Sequence, residues 1–165
     1  MKFVVRPYGK GEEAYVAEAH KRIYEEEYGW GPAFTDYAMR IALQFPNREH
    51  TDKEGLWVAE AEGKLIGCIM LCQAEEPQTG QLRLFLVEKN YRRYGVGTAL
   101  LTALMKQVQA VGYTRLILWT ASPLADAIKQ YEKLGFHCAE EVVNTDWNPG
   151  GEPIYEIKMV KELFA

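Results

Sequence analysis

With 165 residues, 48% of them apolar and 25% charged, the chain is long enough for one domain with a sizeable core. Its formal net charge of −4 counts against a general nucleic-acid binder, which would normally present a basic face. No apolar run reaches transmembrane length, and the segment Met1–Pro7 turns polar too soon for a signal peptide.

Phe3 to Arg6 reads as a short first strand that Pro7 stops. Glu12 to Tyr28 has helical spacing, with Tyr15, Ala19, Ile23 and Tyr24 on an apolar face and Gly29 to end it. A loop from Tyr28 to Pro32 follows and carries Trp30. Thr35 is placed to cap a second helix from Asp36 to about Phe45, closed by Pro46. Asn47 to Gly55 is polar and reads as loop. Leu56–Glu60 and Leu65–Gln73, joined by Glu62-Gly63-Lys64, predict a β-hairpin. After a polar turn, Leu82 to Val87 reads as a buried strand whose single charge is Arg83. From Thr98 onward, Leu100, Leu101, Leu104, Met105 and Val108 fall on one face of a helix that Gly112 ends.

Arg115 to Thr120 is another buried strand. Pro123 suits the first turn of a helix running to about Leu134 and capped by Gly135. Phe136–Val143 and Ile154–Val160 are the last strands, separated by the Gly/Pro-rich loop Asn144–Pro153. The order β-α-α-β-β-β-α-β-α-β-β predicts a mixed α/β (α+β) domain around one largely antiparallel sheet, without repeats or linkers. Cys68, Cys72 and Cys138 lie in apolar, strand-like surroundings and have no framework spacing, so buried reduced thiols in a cytoplasmic protein are expected. His20, His50 and His137 are scattered, and no metal-ligand spacing occurs.

The segment Arg92-Arg93-Tyr94-Gly95-Val96-Gly97-Thr98 joins a strand to a helix. Its glycines allow a tight turn and close approach of a ligand. The helix start leaves N–H groups without internal partners and carries about half a positive charge. With two arginines beside it, this is an anion site of the kind that holds phosphate or pyrophosphate. The plainer alternative is a tight β–α connection with solvated arginines. Leu100 stands where G-x-G-x-x-G needs its third glycine, and no G-x-x-x-x-G-K-[ST] occurs.

The pattern Val87-x-x-x-x-Arg92-x-x-Gly95-x-Gly97 resembles the acetyl-CoA signature of the GNAT superfamily of N-acetyltransferases, [QR]-x-x-G-x-[GA]. Downstream, Gln130-Tyr131-Glu132-Lys133-Leu134-Gly135-Phe136 is similar to that family's L-Y-x-x-x-G-F. The resemblance covers most of the chain and is strongest from Leu82 to Phe136. It implies a single GNAT domain over residues 1–165, a GNAT-like mixed sheet flanked by helices, and direct transfer of acetyl from acetyl-CoA to a primary amine of a small molecule or peptide. It implies no metal, and homodimers are frequent among members. Neither a Cys–His nor a Ser–His–Asp arrangement points to an acyl-enzyme.

On that resemblance, Arg92, Arg93, Gly95, Val96, Gly97 and Thr98 hold the pyrophosphate, chiefly through backbone N–H groups. The main chain of Val87 and Lys89 lies along the pantetheine as an added strand would. Tyr131 is the proton donor facing the departing thiolate. A phenol of pKa about 10 stays protonated beside a thiol of about 8.5. The alternative for Tyr131 is a ring packed under the sheet with its hydroxyl at the surface. Glu75, Glu76 and Glu88 read as solvated loop carboxylates rather than a base for the amine.

In a strand, positions 81, 83, 85 and 87 share one face; in the family that face at the strand's beginning lines the acceptor site, so the resemblance implies that Arg83 meets an acceptor carboxylate or another anionic group. The alternative is an ion pair with an acidic residue on a neighbouring strand. Tyr28, Trp30 and Phe34 sit where the family's first helices cover the acceptor, as an aromatic pocket or as core, and Trp147 is placed to cover the opposite side. Leu124 stands where many members carry asparagine, with Ser122 or Asp126 as replacements. Leu82–Val87 with Leu118–Thr120 looks like the subgroup of GNAT domains that also occurs fused to MarR-type DNA-binding domains, although no such domain is present in this sequence. Two rival readings are a non-catalytic acetyl-CoA sensor and an enzyme for a longer acyl-CoA.

Overall fold

The computed structural model describes residues 1–49 and 52–163. Its strands are β1 (Val4–Pro7), β2 (Gly55–Ala61), β3 (Lys64–Gln73), β4 (Thr79–Val87), β5 (Arg115–Ala121), β6 (His137–Asn144) and β7 (Ile154–Glu162). Its α-helices are α1 (Glu13–Tyr28), α2 (Pro32–Gln44), α3 (Val96–Val111) and α4 (Ala125–Lys133). The strands form one sheet in the order β1-β2-β3-β4-β5-β7-β6. Among the described residues only β4 and β5 run parallel, so the mixed, largely antiparallel sheet expected from the sequence is what the chain forms.

Alternating side chains divide the sheet into two packed faces. On one face, α3 buries Val96, Leu100, Leu101, Leu104 and Val108 against Ile69, Leu71, Leu82, Leu116, Leu118 and Met159. Truncating a fully buried Leu100 to alanine there would cost about 2–5 kcal/mol. On the other face, α1 and α2 cover Leu56, Val58, Cys68, Met70 and Leu86. Among the described residues, no helix is long and apolar enough to cross a membrane.

The β4–β5 pairing stops early. Thr79–Leu82 lie beside Arg115–Leu118, and beyond Leu82 the strands part. Within β4 the register against β3 also slips, because Met70 pairs with Arg83 but Cys68 pairs with Leu86. Leu84 sits at the slip with φ of 48°, a left-handed conformation uncommon for leucine.

Several sequence expectations are corrected. The second helix begins at Pro32 with Gly31 as its cap, and Thr35 is buried inside it, because proline suits the first helical position. Pro123 precedes α4 rather than opening its first turn. Cys68 and Cys72 are buried, but Cys138 is exposed, because β6 is the outer strand and has no neighbour beyond it. Of the loop expected from Asn47 to Gly55, Asn47 ends a short 3-10 turn and Gly55 already opens β2, while residues 50 and 51, His50 among them, fall outside the described residues.

Candidate active site

A cavity of about 1480 Å³ opens where β4 and β5 part, roofed by α1 and α2 and flanked by the starts of α3 and α4. Its wall includes Arg93, Gly95, Gly97 and Thr98 at one end, Phe85, Val87 and Tyr131 in the middle, and Arg83, Trp119 and Glu156 at the other.

The phosphate end is built from backbone. Arg93 and Gly95 take left-handed conformations, with φ of 71° and 84°, which turns the chain into α3. No side chain caps α3, and among the described residues the amides of Val96, Gly97 and Thr98 have no acceptor. A 16-residue helix thus presents its unpaired donors and the positive end of its dipole to the cavity wall. A Cβ added to Gly97 would lie 3.4 Å from Phe85 and 3.8 Å from Gln130, in ordinary contact. A longer side chain there has the cavity to fill. These features suit a doubly phosphorylated, elongated ligand such as coenzyme A. Val96 itself packs in the core, so only its amide is available.

The edge of β4 is available as well. The Glu88 amide donates to the Ile66 carbonyl at 2.8 Å, which makes Gly67–Val87 a non-hydrogen-bonded pair. The N–H and C=O of Val87 therefore face away from β3, toward the gap left by β5. Arg92 already occupies part of this edge. Its Nε donates to the Val87 carbonyl at 2.9 Å, and its guanidinium forks onto Glu27 at 2.7 and 2.9 Å. Its side chain is thus a strap between α1 and the end of β4, whereas Arg93 has no such partner among the described residues. Lys89 is exposed at the cavity rim.

Tyr131 is 6% exposed, stacked edgewise on Phe136 and tilted against Phe85. Burial pushes its phenol well above the ordinary tyrosine range. Among the described residues its hydroxyl has no hydrogen-bond partner, although the residue lines the cavity. It is therefore a protonated donor facing the open part of the site. The ring packs under the sheet, as the alternative read from the sequence also has it, and the residue borders the cavity.

Glu88 is corrected. It is a clamp, not a solvated carboxylate: Arg22 forks onto it at 2.9 and 2.8 Å, and the Tyr15 hydroxyl donates to it at 2.7 Å. Burial alone would raise its pKa, but these donors hold it below the usual carboxylate range. Glu76 approaches Lys158 at 3.4 Å.

The expected common face of residues 81, 83, 85 and 87 does not exist, because the bulge at Leu84 shifts the alternation. Phe85 and Val87 pack with the α3 side, whereas Leu84 and Leu86 pack with the α1 and α2 side. Arg83 turns to α2 and donates to the Tyr37 hydroxyl at 2.8 Å. The strand ion pair considered for it is absent among the described residues.

Trp30 is 3% exposed and belongs to an aromatic cluster with Tyr24, Tyr28, Phe34 and Trp147. It is core and cavity wall together. Trp147 does not stand opposite: it lies 5.5 Å from Trp30, and its carbonyl accepts from the Gly31 amide. Ser122 is tied to the Tyr155 backbone, and Asp126 lines the cavity. His20, on α1, is buried and its Nδ1–H donates to the Val16 carbonyl at 2.8 Å; burial lowers its pKa to about 4.

Glu27 and Glu156 were missed from the sequence. Glu27 stands in a run of glutamates with nothing to single it out. Glu156 did carry a signal, since it interrupts an apolar strand between Ile154 and Ile157.

The family model described as acetyltransferase (GNAT) family matches residues 15–136. N-acetyltransferase family 8 member 2 from Rattus norvegicus is 33% identical over 84 residues, covering 48% of this chain and 37% of that protein. The chain spans less than half the length of the curated relatives it matches. Among solved structures, an acetyltransferase of the GNAT family from Staphylococcus aureus Mu50 aligns with a TM-score of 0.79 at 16% identity, covering 99% of this chain and 100% of that one. The Salmonella typhimurium protein yncA, solved with its cofactor acetyl-CoA, gives 0.75 at 16% identity, covering 100% and 96%.

Proposed function

The chain belongs to the acetyltransferase (GNAT) family, and from that premise we propose that it moves the acetyl group of acetyl-CoA directly to a primary amine of a small molecule or peptide. The observation that carries this reading is the union, in one cavity, of unpaired amides at the start of α3, a strand edge at Val87 that β5 leaves uncovered and a buried phenol at Tyr131. The amides of Val96, Gly97 and Thr98, with Arg93, receive the pyrophosphate. Lys89 and Val87 lie along the pantetheine arm, with the Val87 carbonyl already capped by Arg92.

The amine nitrogen attacks the thioester carbonyl carbon, a C–N bond forms and the C–S bond breaks. Sulfur leaves with the electron pair, and the Tyr131 hydroxyl donates a hydrogen bond to it. The proton lost by the amine balances the proton gained by the thiolate, so amide and free thiol are the products. Arg83 and Trp30 belong to the acceptor wall. The likeness of Leu82–Val87 and Leu118–Thr120 to GNAT domains found fused to MarR-type modules adds nothing to the choice of acceptor.

The test is release of free thiol from acetyl-CoA over a panel of primary amines, with mass detection of the amide. Thiol release that depends on amine, with one acetyl added per thiol, supports the reading. Tight CoA binding with no transfer to any amine overturns it.

A further inference from the structure

Helices α1 and α2 cover β3 and β4, and Trp30 and Trp147 close over Ala121 and Ile154, but the same face of the sheet is open at Trp119 of β5 and Val142 of β6. Strand register fixes what stands there. Ala121 pairs with Glu156, Trp119 with Lys158, and Glu156 in turn with Val142. Trp119 is 40% exposed and lines the cavity together with Glu156 and Val142. Arg83 stands one strand away from Trp119, just past the last β4–β5 pair at Leu82–Leu118.

The charges along this arm are unevenly satisfied. Lys158 is paired with Glu76. Arg83 has the neutral Tyr37 hydroxyl as its partner, and Arg40 lies over the Tyr37 ring at 5.9 Å. Neither arginine meets a carboxylate among the described residues. Glu156 accepts from the neutral amide of Asn144 at 3.0 Å and meets no cation among the described residues. A cleft wall with an unneutralised cation on one strand, an unneutralised anion two strands away and an exposed indole between them is complementary to a ligand bearing both charges and an apolar body.

We propose, on the acetyltransferase reading above, that the acceptor is a zwitterionic amine of the α-amino-acid class with an apolar side group. Its carboxylate lies on Arg83, its ammonium faces Glu156, and its side group rests on Trp119. Glu156 thereby becomes an acceptor-binding residue, and Tyr37 a positioning residue that fixes the guanidinium of Arg83.

Three probes separate the charges: L-phenylalanine carries both, phenethylamine only the ammonium, and 3-phenylpropionate only the carboxylate. Binding of each to the CoA-saturated protein is measured by calorimetry, so the result does not depend on turnover. Phenylalanine is expected to bind about tenfold tighter than either partial probe, the value of one charge-assisted hydrogen-bonded contact. Arg83→Gln should reduce phenylalanine to the level of phenethylamine, and Glu156→Gln to the level of 3-phenylpropionate, with CoA affinity reporting intact folding. Lys158→Gln should leave the preference unchanged, since that cation is already paired.

Equal binding of phenylalanine and phenethylamine overturns the proposal. So does a preference that survives both site variants, or one that Lys158→Gln abolishes. Thiol release with an amine lacking the preference sinks the acceptor assignment alone. Charge-dependent binding without thiol release from any amine sinks the transferase reading and leaves the site standing.

Discussion

The two ends of the cavity are built from different materials. At the α3 end, the groups that can hold a ligand are backbone amides, presented by two glycines and a helix start within a few consecutive residues. At the Trp119 end they are side chains from α2, β4, β5 and β7, brought together only by the sheet. A main-chain site depends on the conformation of its turn, whereas a side-chain site changes its chemistry with each residue exchanged in its wall. One end is therefore suited to a constant ligand and the other to a variable one.

The largest way to break this contrast is Gly97→Glu. It places bulk and negative charge among the free amides, where the protein itself leaves room. CoA affinity should fall roughly a thousandfold, about 4 kcal/mol, in a direct binding assay, with thermal stability little changed. Retained affinity would mean that these amides hold nothing.

His20 gives the next largest effect, on the acceptor roof. Its folded pKa of about 4 lies below the ordinary value near 6.5. The unfolded chain therefore binds the extra proton first as pH falls. Its contribution, present above pH ~6.5, is lost by about pH 4, and its full size is about 3 kcal/mol. Urea midpoints followed from pH 7 to 4 should decline less steeply in His20→Gln than in the parent, and parallel slopes would refute the assignment.

Tyr131→Phe sharpens the contrast at the junction of the two ends. The ring packing survives and the donor is lost, so kcat should drop about a hundredfold with CoA affinity retained. A non-catalytic sensor would have no kcat to lose. The smallest effect is at the strap. Glu27→Gln should lower stability by no more than about 1 kcal/mol, because Arg92 is partly exposed. A urea titration shows this, and a larger loss would mean that the strap holds the turn itself in place.

The same division explains what could be read in the sequence. The glycine turn and the α3 stripe are local patterns, and Leu82–Val87 is an apolar run, so their existence and order were legible. The bulge at Leu84 was not, because it depends on how β3 and β4 register, and it reversed the face assigned to Phe85 and Val87 relative to Arg83. Arg92 read as a phosphate ligand because its partner Glu27 lies 65 positions away. Thr35 has the residue type of a cap, but Gly31-Pro32 lies upstream of it and starts the helix one turn earlier. The zwitterion site proposed at Glu156 depends on three strands lying side by side, and no spacing along one of them reveals it.

Helix α1 is fastened to the end of β4 twice, by Arg92 to Glu27 and by Arg22 and Tyr15 to Glu88. The same helix carries His20 and Tyr24 in the cavity wall, with Tyr24 packed on the Trp30 and Phe34 rings of the acceptor wall. One rigid lever thus touches the seats of both reactants. If occupancy of either seat shifts that lever, the two affinities change by the same factor in both directions, and the order in which the substrates arrive becomes a property of this helix.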